Sequence, residues 1–218
     1  MQVMHACNHA AMADASATLR ERRRAETWVA IHEAAAALVL HQGLEHATIE
    51  AIADAAGVSP RTFFNYFPSK DDAVLGMRPP SLDPVLLDGF VIGHDLLDQV
   101  SKLLLAVARS SYADGDLVRR QELMHRHPHL GQRRKEYLVE AEELVRQAVA
   151  AILATDPGWS VGIEGFDVQE TARMLVMVAA VPLRFALTSP AYGTPPGVTP
   201  QNLASSLNLF HHVHGKLS

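Results

Sequence analysis

In the first third of this chain, signals that start and stop helices crowd together more tightly than a loop-rich fold requires. From Arg23 onward, Trp28, Ile31, Ala35, Leu38 and Val39 recur at three- and four-residue steps, which is one face of a helix. Gly43 follows, suited to the left-handed residue that ends it. Thr48 is an N-cap for a short second helix, IEAIADAAG, with Glu50 in the first turn, where the helix dipole favours an acid. Gly57 closes that helix. Ser59 caps a third, with Pro60 where a missing N–H costs nothing, and Pro68 breaks it. Ser69 and Asp72 form an S-x-x-D capping box that opens a fourth. Four helix starts within about 50 residues, three of them capped, predict a compact helical bundle.

The rest of the chain agrees with an all-α fold. Alanine and leucine dominate, β-branched alternation is scarce, and 218 residues suffice for one large domain or two small ones. Residues 1–22 lack firm periodicity and read as a flexible arm, residues 23–77 as the bundle, and residues 78–218 as a second, larger helical domain. The stretch RPPSLDPVLLDG (78–89), with three prolines, marks the boundary. Beyond it, helices are expected near 92–111, 116–127, 129–153, 168–188 and 200–216, about nine in all, with loops at 155–165 and 189–200.

A helix, a short turn containing Gly and a second short helix make the helix-turn-helix arrangement, here IEAIADA–AGV–SPRTFFNYF. Small residues (Ala53, Ala56) are needed where the helices cross, and Gly57 takes a backbone angle that larger residues resist. The segment TIEAIADAAGVSPRTFFNYFPSKDDA (48–73) resembles the DNA-binding domain of the TetR (AcrR-like) family of bacterial transcriptional regulators, whose pattern runs T-[VI]-x-x-I-A-x-x-A-G-V-S-x-x-T-x-Y-x-Y-F-x-S-K-x-x-L. The resemblance is strong over about residues 24–77. Three positions depart from it. Phe64 replaces the usual Tyr and offers a ring without a hydroxyl. Asn65 stands for the usual His or Arg, and Ala73 for Leu.

What the resemblance implies is a double-stranded DNA operator as partner. Thr48, Lys70 and the Tyr66 hydroxyl would meet phosphates, while Ser59, Pro60, Arg61, Thr62 and Asn65 would face base edges or the groove wall. Phe64 could serve either the core or the groove. The chemistry fits: Arg bonds two acceptors of guanine, Asn bonds adenine, and an apolar ring or Pro edge suits a thymine methyl. Phe63 and Phe67, four apart, are expected in the core. The whole chain carries a formal charge of −5, which excludes blanket coating of nucleic acid. Residues 1–78 hold seven Lys/Arg against nine Asp/Glu, but residues 55–70 contain two cations and no acid, and RERRR (20–24) adds four Arg. Binding is therefore expected to be local and salt-sensitive, with the arm able to reach a phosphate or the minor groove.

For the larger domain the resemblance implies ligand binding and dimerisation. Leu104, Tyr112, Met124, Tyr137, Met174, Met177 and Phe185 are candidate pocket residues, with Arg184 as an anchor for an anionic ligand. Leu175, Val178, Ala179, Leu203, Leu207 and Phe210 are candidates for a homodimer interface on the last two helices. The function implied is a repressor that binds a palindromic operator as a dimer and is released by a small-molecule effector. The alternative is a regulator without effector, governed by a protein partner or acting as activator.

Other classes find little support. No G-x-S-x-G, phosphate-binding glycine loop or H-E-x-x-H occurs, so no catalytic residue and no enzyme activity are expected. His125 and His129 are four apart, but Pro128 disturbs their turn, and HHVH (211–214) lies near the C-terminus; no metal site or cofactor is expected. The lone Cys7 excludes an internal disulfide framework. The longest apolar run, MLVMVAAVPLRFAL (174–187), carries a Pro and an Arg and reads as a buried helix, so no membrane association is expected. The N-terminal basic cluster follows the mildly apolar part, the wrong order for a secretory signal, and a cytoplasmic protein is expected.

Overall fold

The computed structural model describes residues 3–93, 95–112, 117–160, 165–192 and 199–217; of residues 3–18 and Ser160 it describes the backbone only. Among the described residues there are ten α-helices, two short 3-10 turns and no β-strand. The all-α fold read from the sequence is the one observed. The chain divides into two compact units, Met1–Met77 and Arg78–Ser218.

In the first unit, α1 (Val3–Gln42) is followed by α2 (Ile49–Ala55), α3 (Pro60–Phe64) and α4 (Lys70–Leu75). The arm expected over residues 1–22 falls largely outside the described side chains; the backbone of α1 is helical back to Val3. The caps explain why the three short helices start where they do. The hydroxyls of Thr48, Ser59 and Ser69 accept from the backbone N–H of Ala51, Thr62 and Asp72 respectively, each an otherwise unpaired first-turn donor. Ser69 also donates to the Asp72 carboxylate at 2.6 Å, which closes the capping box. The turn between α2 and α3 is set by Gly57 at φ +68°: its N–H bonds Asp54 O at 3.0 Å and the N–H of Val58 bonds Ala53 O at 2.9 Å, a Schellman ending.

These helices close on one core. Ile31, Ala35 and Val39 of α1, Ile52 and Ala53 of α2, Phe63 of α3, Phe67 and the apolar face of α4 are all buried. The Trp28 and Phe67 rings lie 5.0 Å apart and those of Phe63 and Phe67 6.0 Å. Burying each phenylalanine contributes about 1.5–3 kcal/mol, enough to hold a five-residue helix that could not persist alone.

The second unit contains α5 (Leu96–Ser110), α6 (Leu117–Arg126), α7 (Pro128–Leu153), the single turn α8 (Pro157–Ser160), α9 (Val168–Thr188) and α10 (Pro200–Leu217). Helix α8 occupies a stretch read as loop. Helices α5, α7 and α9 enclose the main core, built from Leu96, Val100, Leu104, Val145, Val149 and Val176 together with a run of small residues on α9, Ala172, Ala179 and Ala180. Helix α10 adds Leu203 and Leu207 against Leu105 and Leu183. The proline-rich stretch starts this unit: Ser81 N–H bonds Ser110 Oγ at 2.8 Å, and Leu82, Leu87, Phe90 and Ile92 pack on the core. The Gln99 amide pins that strap through both backbone groups of Val91, at 2.9 and 2.8 Å.

Helix α9 is long and apolar enough, by length and composition, to cross a membrane. It instead packs one face against α5, α7 and α10. Pro182 lies inside it, where it removes one N–H from the helical ladder. Three residues earlier, the buried Ser101 of α5 donates to Ala179 O at 2.9 Å.

Candidate nucleic-acid interface

Helix α3 has two faces with opposite chemistry. Phe63 and Phe67 are fully buried, while Ser59, Pro60, Arg61, Phe64 and Asn65 are exposed and Thr62 and Tyr66 half-buried. Phe64, which the sequence left open, is 55% exposed, and its ring meets Phe63 edge-on at 5.4 Å. It therefore belongs to the outer face, steadied from beneath.

The hydroxyls are partly committed. Ser59 Oγ accepts from Thr62 N–H at 3.0 Å and lies 2.9 Å from Thr62 Oγ1, so this pair shapes the first turn of α3 before it meets any ligand. Thr48 Oγ1 accepts from Ala51 N–H at 3.1 Å and keeps its own O–H for a phosphate oxygen. Lys70 Nζ donates to Leu44 O at 2.7 Å, bracing the turn between α1 and α2. An ammonium has three donors, so this bond orients Lys70 and leaves it able to contact an anion. Arg61 is exposed at the second position of the helix and can extend away from the unit.

Three arginines of RERRR (20–24), expected to reach a phosphate, share a groove with the α3 segment that the sequence did not reveal. An open groove of about 640 Å³ is lined by Leu19, Arg20, Arg23, Arg24 and Thr27 of α1 and by Thr62, Asn65 and Tyr66 from the α3 side. The positions 20, 23, 24 and 27 are spaced i, i+3, i+4 and i+7, the period of one helix face, and that spacing was the available signal.

The chain matches the family described as bacterial regulatory proteins, tetR family, over residues 31–75. It is 32% identical over 173 residues to the HTH-type transcriptional regulator TcmR of Streptomyces glaucescens, covering 74% of this chain and 70% of that protein. The chain belongs to the TetR family. It is accordingly a DNA-binding transcriptional regulator of the helix-turn-helix type. Among solved structures it is similar to a TetR-family transcriptional regulator from Mesorhizobium loti (19% identity, 88% of this chain and 98% of that one, TM-score 0.39). NalD, the secondary repressor of the MexAB-OprM multidrug efflux pump in Pseudomonas aeruginosa, is 20% identical over 84% of this chain and 95% of its own, with a TM-score of 0.35. Both scores are low, and the family assignment rests on the sequence matches.

The candidate residues of the second unit are placed differently from expectation. Leu104 and Tyr137 are buried, and Tyr112 and Met124 half-buried. The Arg120 guanidinium lies 4.7 Å from the Tyr112 ring centre, and that of Arg133 4.5 Å from Tyr137, whose hydroxyl it also reaches at 3.0 Å. Burial pushes the Tyr112 phenol above its ordinary pKa, partly offset by the charges of Arg134 and Arg120. Met174, Met177 and Phe185, by contrast, are 62%, 55% and 40% exposed. Arg184 points outward to Glu142 at 3.3 Å. Of the interface candidates, Ala179, Leu203 and Leu207 are buried within the chain's own core, and Leu175, Val178 and Phe210 half-buried. The cause is the run of small residues on α9: Ala172, Ala179 and Ala180 let neighbouring helices approach closely, which turns the bulky side chains to the outside.

Proposed function

We propose that the protein is a repressor that binds a palindromic operator as a homodimer, acts in the cytoplasm, and is released by a small molecule. The observation that carries the DNA part is the two-faced α3: Arg61, Phe64 and Asn65 stand outward over a phenylalanine core that fixes their direction. Arg61 reads a guanine, Asn65 an adenine or a neighbouring acceptor, and Phe64 a thymine methyl. Thr48, Lys70 and Tyr66 hold phosphates.

The dimer face is the outer side of α9, where Met174, Met177, Val181 and Phe185 are exposed at steps of three and four, joined by Leu209 and Val213 of α10. Two copies are also what operator geometry asks for, since successive major grooves are about 34 Å apart. The effector acts on the second unit around Leu104, Tyr112, Met124 and Tyr137. A ligand that prefers one conformation lowers operator affinity by its differential affinity alone.

Selection of genomic fragments by purified protein, repeated with Arg61→Ala, tests the first part. A palindromic consensus is expected, and the variant should lose about 1–3 kcal/mol together with discrimination at one base pair per half-site. If no common sequence is enriched, the assignment of α3 as the reading helix is wrong. Ligands that raise the melting temperature should also release DNA, because binding is linked to both. Stabilisers that leave DNA binding untouched would remove the effector from the scheme.

A further inference from the structure

The groove between α1 and the α3 segment has a composition that an ordinary surface dip lacks. Three of its eight lining residues are arginines, Thr27, Thr62, Asn65 and Tyr66 add neutral polar groups, and no lining residue is acidic. Among the described residues, Arg20, Arg23 and Arg24 form no ion pair; the nearby Glu26 is taken by Arg22 at 3.3 Å. Three guanidiniums held on one helix face without a counter-ion, in a chain of net charge −5, concentrate positive charge at one spot. The side chains are exposed and keep their donors free for an anion.

We propose that this groove seats one strand of the DNA backbone beside the bases read by α3, with Arg20, Arg23, Arg24 and the Tyr66 hydroxyl bonding consecutive phosphates. The inference rests on the reading of α3 as the base-contacting helix. It assigns α1, which lies outside the helix-turn-helix itself, a share of the binding energy that is indifferent to sequence. Guanidinium forks suit phosphate oxygens, and hydroxyl and amide groups complete such a site. Exposed Asn65 and half-buried Thr62 both line the groove and adjoin the outward face of the α3 segment, so the strand in the groove and the bases being read are held in one register. Tyr66 is thereby placed as a backbone contact.

The test compares wild type, R20A/R23A/R24A and R20K/R23K/R24K in the full chain, by fluorescence anisotropy on a selected operator and on a scrambled duplex of equal length. Each phosphate contact adds about 0.9 to the slope of log K against log salt. The alanine variant should therefore lose about 2.7 from that slope per bound chain. Between 50 and 200 mM salt, wild type should weaken about 40-fold more than the variant for each chain engaged. The loss should be equal on both duplexes, and the lysine variant should keep the slope. The three positions are on the surface, and matching thermal melts verify the fold. An unchanged slope in the alanine variant, with wild type and its Arg61 dependence intact, overturns the inference and leaves the reading of α3 standing. A loss confined to operators of one flanking sequence also overturns it, because the arginines would then read bases. Wild type that binds neither duplex removes both.

Discussion

Replacing Gly76 with alanine perturbs a single methyl group and should destabilise the DNA-binding unit severely. Gly76 ends α4 at φ +59°, ψ 47°, the left-handed region. A Cβ there would stand 2.7 Å from both Cε1 and Nε2 of His32 and 2.9 Å from its Cδ2, distances that real contacts do not reach. The ring has nowhere to retreat. His32 is buried, its Nδ1 is 2.7 Å from Ala73 O, and its ring sits tilted against Trp28 at 5.7 Å between ring centres. The left-handed angle costs alanine about 1 kcal/mol. Forcing a methyl into a packed site costs about 1–3 kcal/mol more. The total, about 2–4 kcal/mol, is a large share of what a small unit possesses.

The chain's two tryptophans, Trp28 and Trp159, fall one in each unit, so Trp159→Phe leaves a fluorophore that reports on the first unit alone. In urea, with m about 1 kcal/mol/M for a unit this small, the Gly76→Ala midpoint should fall by about 2 M or more. The double variant H32A/G76A separates the two causes. It retains the backbone penalty but not the clash, so it should be less destabilised than the sum of its single variants by about 1–3 kcal/mol. A midpoint unchanged by Gly76→Ala, or strict additivity in the cycle, would refute the claim that His32 fixes what residue 76 can be.

Three further outcomes probe the second unit. Ser101→Ala removes the donor to Ala179 O close to Pro182, and should cost about 1 kcal/mol in a urea melt followed by Trp159 in a Trp28→Phe background; no change would mean the bond is idle. Glu143 is held down to about 2 by hydrogen bonds from Arg146 and Gln147, so its contribution is fully present above the ordinary carboxylate value of 4.5 and disappears as pH falls towards 2. Glu143→Gln should accordingly flatten the fall of melting temperature across that window, and a parallel curve would contradict the pairing. Met177→Glu puts a charge on the proposed dimer face; sedimentation should show monomers, with weakened operator binding and an unchanged melt of the first unit.

The helix-turn-helix unit was legible because its information is local. Thr48, Ser59 and Ser69 cap the helices that follow them through bonds spanning three residues, and Gly57 dictates a turn through its own backbone angle. Such bonds are written in adjacent letters of the sequence. The four-residue step from Phe63 to Phe67 likewise gave the buried face of that segment. Lys70 shows where local reading stops. Its bond to Leu44 O joins residues 26 apart, and only the packing of α4 on α1 reveals that the ammonium braces a turn as well as facing outward.

Helix α9 marks the other limit, and for a definite reason. Periodicity orients a helix only when apolar and polar residues alternate around it. Between 174 and 181 the sequence MLVMVAAV is apolar on every side, so hydropathy does not distinguish inward from outward. Size settles the matter here: Ala172, Val176, Ala179 and Ala180 face the core, where α5 and α7 approach closely, and Met174, Met177, Val181 and Phe185 are left outside. Expecting the large residues to fill an interior cavity therefore inverted the helix. The same inversion supplies the strongest argument for a partner on that side. Met174, Met177, Val181 and Phe185, exposed together at steps of three and four, are the contiguous apolar patch on which the proposed dimer face rests.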